Sequence, residues 1–194
     1  IAFDENWWNE NAQGYYAAVL QDHSYWGIDN LAPLYFGIVE DRRKTNLALD
    51  NLVKQKPHHV EGKSHLPETF YKYGRNDAAY EALLELADPG LERREYPEVS
   101  YSMLGSVATG MMGISPDARC SMISTVPRLI DKKEWVKIQN VPVLENEISV
   151  CHRGNSETTF TNQSGVVVHW KACFRTKKRE LLLDGSLTKA IQET

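Results

Sequence analysis

Two different residue periods divide this chain. Between Val99 and Met112 the large apolar residues fall four apart, at Val99, Met103, Val107 and Met111, with Leu104, Ala108 and Met112 one step round. That recurrence is the stripe of a helix lying on a core. Ser102, Gly105, Ser106 and Gly110 fill much of the remaining surface, so a neighbouring helix is expected to approach closely. Gly113 supplies the left-handed residue that ends such a helix, and Pro116 stands where no helix continues. After Ser115-Pro116-Asp117 the character changes. Residues 135–141, 147–152, 157–162 and 166–174 are short β-branched or alternating runs, separated by turn-like Glu145-Asn146, Arg153-Gly154-Asn155 and Gln163-Ser164-Gly165. Their spacing predicts an antiparallel sheet or small sandwich, and residues 181–185 offer a further strand.

The residues before Val99 read as helices joined by loops. A helix is expected over 12–22 with Tyr16, Val19 and Leu20 on one face, followed by the aromatic and polar loop His23-Ser24-Tyr25-Trp26-Gly27. Asp29 or Asn30 is placed to cap the next helix, which tolerates Pro33 early and closes near Ile38. Asp41 caps another, with Leu49, Leu52 and Val53 buried. Residues 56–65 read as a polar connection, Pro67 starts a short helix that Gly74 ends, and Asn76 caps a helix over 77–87. Tyr80, Leu83, Leu84 and Ala87 form its expected face, and Asp88-Pro89-Gly90 stops it. The fold class is therefore α+β: helical hairpins over 1–118, then a small antiparallel β domain over 119–194.

At 194 residues the chain is long enough to bury a substantial core. A formal net charge of -4, with no basic run beyond Lys177-Lys178-Arg179, argues against a nucleic-acid surface. No apolar stretch approaches the roughly 20 residues that span a bilayer, so no membrane partner is expected. The three cysteines have no metal-ligand spacing and read as mostly buried thiols, with one disulfide left open. His58, His59, Glu61 and His65 match neither an H-E-x-x-H helix nor a zinc-finger pattern. No metal and no cofactor are expected. The aromatic and polar clusters at Trp7-Trp8 and Tyr25-Trp26 offer ring faces beside hydrogen-bonding groups, which suits sugar rings as well as it suits a core edge. Glu98 reads first as an ionised carboxylate at a helix N-terminus.

The block from Leu66 to Phe174 resembles the C-terminal part of the six-hairpin glycosidases. The motifs that carry the resemblance are Pro67-Glu68-Thr69-Phe70-Tyr71-Lys72-Tyr73-Gly74, Asn76-Asp77-Ala78-Ala79-Tyr80, Arg94-Glu95-Tyr96-Pro97-Glu98 and Gly110-Met111-Met112-Gly113-Ile114-Ser115-Pro116-Asp117, closing with Trp135 and Asn140-Val141-Pro142. The pattern is similar to that of bacterial α-L-rhamnosidase-like hydrolases. It implies an (α/α)6 toroid followed by a β-sandwich, and an inverting acid–base hydrolysis of an oligosaccharide or glycoside. A Glu before the last toroid helix serves as base in such enzymes, and Glu98 is the closest match here, with Glu95 the competitor. Nearby Arg93 and Arg94 favour an ionised base. Trp7, Trp8, Tyr25, Trp26 and His65 are the residues expected around the sugar.

Twelve toroid helices of roughly 11 residues each need well over 150 residues with their loops. The helical half here is shorter. The expectation is a C-terminal portion whose partner is the N-terminal part of the same enzyme, which would supply the acid, with Asp4, Glu5 and Asp29 as in-chain alternatives. A bacterial periplasmic, extracellular or cytoplasmic location is left open. A glycoside phosphorylase on the same fold and a non-catalytic carbohydrate-binding or scaffold protein are the competing readings.

Overall fold

A computed structural model describes residues 2–130, 135–176 and 179–191. It begins with a short helix α1 (Ala2–Asn6) and a three-stranded antiparallel sheet, β1 (Trp8–Asn9), β2 (Gly14–Val19) and β3 (Tyr25–Ile28). Strand β2 occupies the stretch where the spacing predicts a helix. Tyr16, Val19 and Leu20 fit a helical stripe, yet the aromatic and β-branched residues suit a pleated surface equally well. Tertiary contacts decide between them. The Tyr15 hydroxyl donates to Asp4 Oδ1 at 2.5 Å, and its backbone N–H donates to Asn30 Oδ1 at 3.0 Å. The Tyr16 ring stacks on Tyr25 across the strand pair, 4.5 Å between centroids.

Helices follow. In α2 (Leu31–Phe36), Asp29 Oδ1 accepts the N–H groups of Leu31 and Ala32, and Gly37 closes the helix in the left-handed region. Asp41 caps α3 (Arg42–Lys54) by accepting Lys44 N–H at 2.9 Å, as its position predicts. Leu49 and Leu52 are buried there, whereas Val53 is exposed. Helix α4 (Val60–Lys72) starts earlier than expected, because His59 Nδ1 accepts Gly62 N–H at 3.0 Å and serves as its cap. The region read as a polar connection is thus partly helical, and Pro67 lies inside the helix, where it leaves one i−4 carbonyl without its usual donor. Gly74 does end it, at φ 74°.

Helix α5 (Asn76–Ala87) buries Ala79, Ala82, Leu83 and Leu86, while Leu84 faces out. The buried stripe is therefore turned from the predicted one, towards small residues that let α5 lie close along α4. Asn76 is the first helical residue and not the cap, and its Oδ1 is buried with no partner among the described residues.

Helix α6 (Pro97–Gly105) passes directly into a π-helical segment over 106–111. Met112 N–H donates to Val107 O at 2.9 Å, an i−5 bond that widens the turn. The extra residue shifts the stripe, so Met112 is fully buried while Leu104 is 71% exposed. The predicted close approach is present: Gly110 lies against the Tyr71 ring, and Ser102 Oγ donates to the Ser64 carbonyl of α4. Tyr71, Phe70, Leu66, Leu49 and Leu34 centre the helical core.

Two three-stranded sheets complete the fold. One is β4 (Ser115–Asp117), β5 (Met122–Thr125) and β9 (His169–Ala172); the other is β6 (Trp135–Val143), β7 (Asn146–Arg153) and β8 (Glu157–Ser164). The second is the predicted antiparallel meander. The first departs from it, since β5 and β9 pair in parallel, Met122 with His169 through Thr125 with Ala172. Ile123, Ile148 and Val150 form the core between the sheets with Met112 and Ile114. His152 joins this layer to the helices, its Nε2–H donating to Met112 O at 3.0 Å while Nδ1 accepts from Thr158. Residues 181–185 belong to a separate hairpin, β10 (Glu180–Leu183) and β11 (Ser186–Lys189). Cys120 and Cys151 are free thiols, and Cys120 is exposed, contrary to the buried reading. No described helix is long and apolar enough to cross a membrane.

Candidate functional site

A cavity of about 450 Å³ opens where the end of β3 meets α2, α3 and the start of α4. Its walls follow from the local folding just described. Asp29 and Asn30 are held at the β3–α2 junction by the backbone groups they bind. From α2 come Tyr35 and Phe36, and from α3 Asn51 and Gln55; His59, Glu61 and His65 come from the cap and first turns of α4. Asn51 also donates to the carbonyls of Ala12 and Gln13, which fastens α3 to the β1–β2 turn. The Tyr35 and His65 rings meet at 4.5 Å and 45°, giving the cavity an aromatic corner among amides and carboxylates.

Glu61 links this cavity to the loop before α6. Its Oε1 accepts from Arg93 Nη1 at 2.7 Å, and the Arg93 guanidinium lies over the Tyr96 ring, 4.4 Å from its centroid. A hydrogen bond from its own backbone N–H, then the Arg93 charge, hold the Glu61 carboxyl below the usual carboxylate range. His59 Nδ1 lies 3.4 Å from Glu61 Oε2 but already accepts Gly62 N–H, so it has no proton to give there. Beneath the polar contact, Val60, Leu86 and Val99 pack with Tyr96 and Met103. Residues 93–99 are therefore fixed to the N-terminal end of α4 by an ion pair above and an apolar cluster below.

Of the residues chosen from sequence, His65 lines this cavity. Glu98 sits exposed in the first turn of α6, behind Pro97, and Glu95 is exposed in the preceding loop. Neither lines the cavity, yet both belong to the segment that Arg93 ties to its rim. Tyr25 and Trp26 lie exposed on β3, just before its cavity-lining end. Trp7 and Trp8 pack on the helical core: Trp7 stacks on Phe3 at 5.8 Å, and Trp8 meets Tyr15 edge-on at 5.0 Å. Lys44 Nζ lies 5.7 Å from the Trp8 ring centroid.

Asp4, an in-chain alternative for the acid, is the opposite of one. Burial pushes its carboxyl up, but the Tyr15 hydroxyl and the N–H groups of Glu40 and Asp41 outweigh burial and hold it below the usual range. Among the described residues no group of three His, Cys, Asp or Glu side chains is arranged to hold a metal ion.

Tyr35, Asn51 and Gln55 were not singled out from sequence. They come from two helices and meet only through tertiary packing, so no local motif marks them. Glu61 was visible beside the histidines, but only as a metal ligand. An α+β fold with a polar and aromatic cleft between its first sheet and its helices is what the geometry defines. No family model matches the chain, and neither a curated protein nor a solved structure matches it.

Proposed function

We propose that this chain is the C-terminal portion of an inverting glycoside hydrolase. Its helices form part of an (α/α) toroid, and the cleft between β3 and α4 holds a sugar ring of the substrate. The observation that carries this reading is the Glu61–Arg93 ion pair, which fastens the segment bearing Glu95 and Glu98 to the rim of an aromatic and polar cavity. The chemistry of that cavity suits a pyranose. Tyr35 and Phe36 offer apolar faces, and Asn51, Gln55, His65 and Asp29 offer donors and acceptors for hydroxyls.

Inversion needs an acid that protonates the leaving oxygen and a base that activates water from the opposite face. Glu98 is the base in this proposal. Exposed at the start of a helix, its carboxylate is open to water. The acid is assigned to the part of the enzyme that precedes this chain: the buried Asp4 and the Arg93-paired Glu61 are both held ionised, Asp29 accepts the N–H groups of Leu31 and Ala32, and Glu5 does not line the cleft.

The direct test is binding. The 194-residue chain is titrated with methyl α-L-rhamnopyranoside while its backbone amide spectrum is followed. The expected result is a saturable shift of amides within 28–36 and 51–65, weakened about tenfold or more by Tyr35→Ala, with no turnover of the p-nitrophenyl glycoside. A spectrum unmoved by the sugar, or a shift that survives Tyr35→Ala, overturns the site.

A further inference from the structure

A second concave surface lies on the outward face of β6–β7–β8. Alternation along these strands sends Val136, Ile138, Val150 and Phe160 to the core. The opposite face carries Trp135, Lys137, Gln139, Arg153, Thr161 and Gln163 around a depression of about 520 Å³. Register fixes their order. Trp135 lies opposite Arg153, which lies opposite Glu157; two residues along, Lys137, Cys151 and Thr159 form the next row.

A flat three-stranded sheet would offer no depression. Here the pairing of β6 with β7 shifts between Ile138 and Val141, and that of β7 with β8 shifts between Glu147 and Ile148. The skipped residues are Gln139 and Asn140 on one edge strand and Gln163 on the other, and Asn140 takes a left-handed φ of 57°. Bulges of this kind bend a strand and re-aim side chains. Both are tied to one central hydroxyl. Ser149 Oγ accepts Asn140 N–H at 3.4 Å and donates to Gln163 Oε1 at 3.1 Å, and Ser149 is itself buried. With its carbonyl oxygen engaged by Ser149, the Gln163 amide has its two N–H donors left to turn outward. Gln163 is thus held in place by its hydrogen bond from Ser149.

We propose that this face is a binding surface for a neutral linear oligosaccharide, distinct from the helical cleft. Trp135, 63% exposed at one end, supplies a flat apolar platform for the C–H face of a pyranose. Apart from Val150 and Cys151, the remaining lining is amide, hydroxyl, ammonium and guanidinium, which pairs with sugar hydroxyls that both donate and accept. An apolar peptide or a lipid would find one aromatic ring among side chains that mostly end in polar groups. A polyanion would meet Arg153 already facing Glu157, with Nε and Oε1 3.6 Å apart. From Trp135 to Gln139 the strand runs about 13 Å, room for more than one sugar ring along the groove.

The test uses the full chain and three probes, cellohexaose, xylohexaose and maltohexaose, each titrated to about 10 mM, where even a millimolar Kd shows. At least one is expected to shift amides within 135–139, 149–153 and 159–163. Trp135→Ala should weaken that response about tenfold or more, Gln163→Leu should weaken it as well, and Trp26→Ala should leave it unchanged. Because Trp135 is exposed, the variant spectrum should otherwise superimpose on the parent's. Gln163→Leu carries the test alone if it does not. No shift from any of the three probes overturns the proposal, as does a response indifferent to both substitutions. Shifts of these amides on protein dilution alone, without sugar, overturn it in favour of contact between two copies. The amides read here differ from those of the helical cleft, so either site can fail while the other stands.

Discussion

His152 on β7 donates its Nε2–H to the carbonyl of Met112, 3.0 Å away, and in doing so joins the meander to the end of the π-helical segment. The carbonyl can only accept, so the proton is on Nε2 and Nδ1 takes the Thr158 hydroxyl. The ring is neutral and fully buried. Burial holds its pKa below the ordinary histidine value of 6.5, while the Met112 contact opposes that shift.

Stability should therefore fall on mild acidification. Above about pH 6.5 the ring is neutral in both folded and unfolded chains and the pH has no effect through it. Below that value the unfolded chain binds a proton that the folded chain resists, so the melting temperature drops as pH falls towards the depressed folded pKa. His152→Gln keeps a donor for Met112 O but cannot titrate. Its melting temperature should be lower at neutral pH and flat across this window. An equally steep drop in the variant would assign the effect to another group.

A second acid limb should follow at lower pH from Asp4. Its folded pKa lies below the ordinary aspartate value of 3.8, so its contribution to stability is complete above that pH and is lost as pH falls through the folded value. Tyr15→Phe removes one of the three donors that the described residues give this carboxylate, at a cost of about 1.5–3 kcal/mol, the range for a hydrogen bond to a charged group. Urea unfolding at neutral pH measures that loss, and the low-pH limb should become shallower. Equal stability of Tyr15→Phe and the parent would mean that the short contact contributes nothing.

Gly110 and Gly105 make opposite predictions within one helical run. A Cβ on Gly110 would stand 2.4 Å from Tyr71 Cδ2, inside the helical core, whereas one on Gly105 meets nothing within 4 Å. Gly110→Ala should destabilise by about 1–3 kcal/mol, as overpacking does. Gly105→Ala should stabilise by about 0.5–1 kcal/mol through the cost of glycine in a helix. Denaturant midpoints decide, and a neutral Gly110→Ala would mean that Tyr71 moves aside freely.

What the sequence made legible here is what local chemistry determines. Asp41 caps a helix, Gly74 and Gly113 end two, and the turns predicted at Glu145-Asn146 and Arg153-Gly154-Asn155 fall within a residue of the observed Leu144-Glu145 and 154–156, each through groups a few residues apart. The misreadings arise where partners are distant or patterns coincide. Residues 14–19 satisfy both periods, and Asn30, fifteen positions from Tyr15, decides for the strand. Helix α4 starts on a histidine cap, a residue type outside the usual set. The parallel pairing of β5 with β9 joins residues more than forty positions apart. The cleft has the same character: His65 could be singled out, but its company of Tyr35, Asn51 and Gln55 exists only once three helices have packed.

The sharpest functional prediction separates Glu98 from Glu61 in the longer enzyme that the proposed reading requires. If Glu98 activates water, Glu98→Gln keeps its size and removes its basicity. Turnover should fall about 10²–10⁴-fold, the ordinary worth of a general base, while KM stays near that of the parent. Glu61→Gln acts differently. It releases Arg93 from the cleft rim, leaving the carboxamide in place of the charge, so the segment carrying Glu98 loses one of its two fastenings and the cleft loses its shape on that side. KM should rise more than kcat falls. Arg93→Ala, which removes the same ion pair from its other end, should reproduce the Glu61→Gln pattern and not the Glu98→Gln one. Steady-state kinetics on an aryl glycoside read all three variants. An enzyme indifferent to Glu98→Gln returns that carboxylate to the role of a charge in a helix's first turn. A kcat collapse on Glu61→Gln that Arg93→Ala does not share would move the base from Glu98 to Glu61.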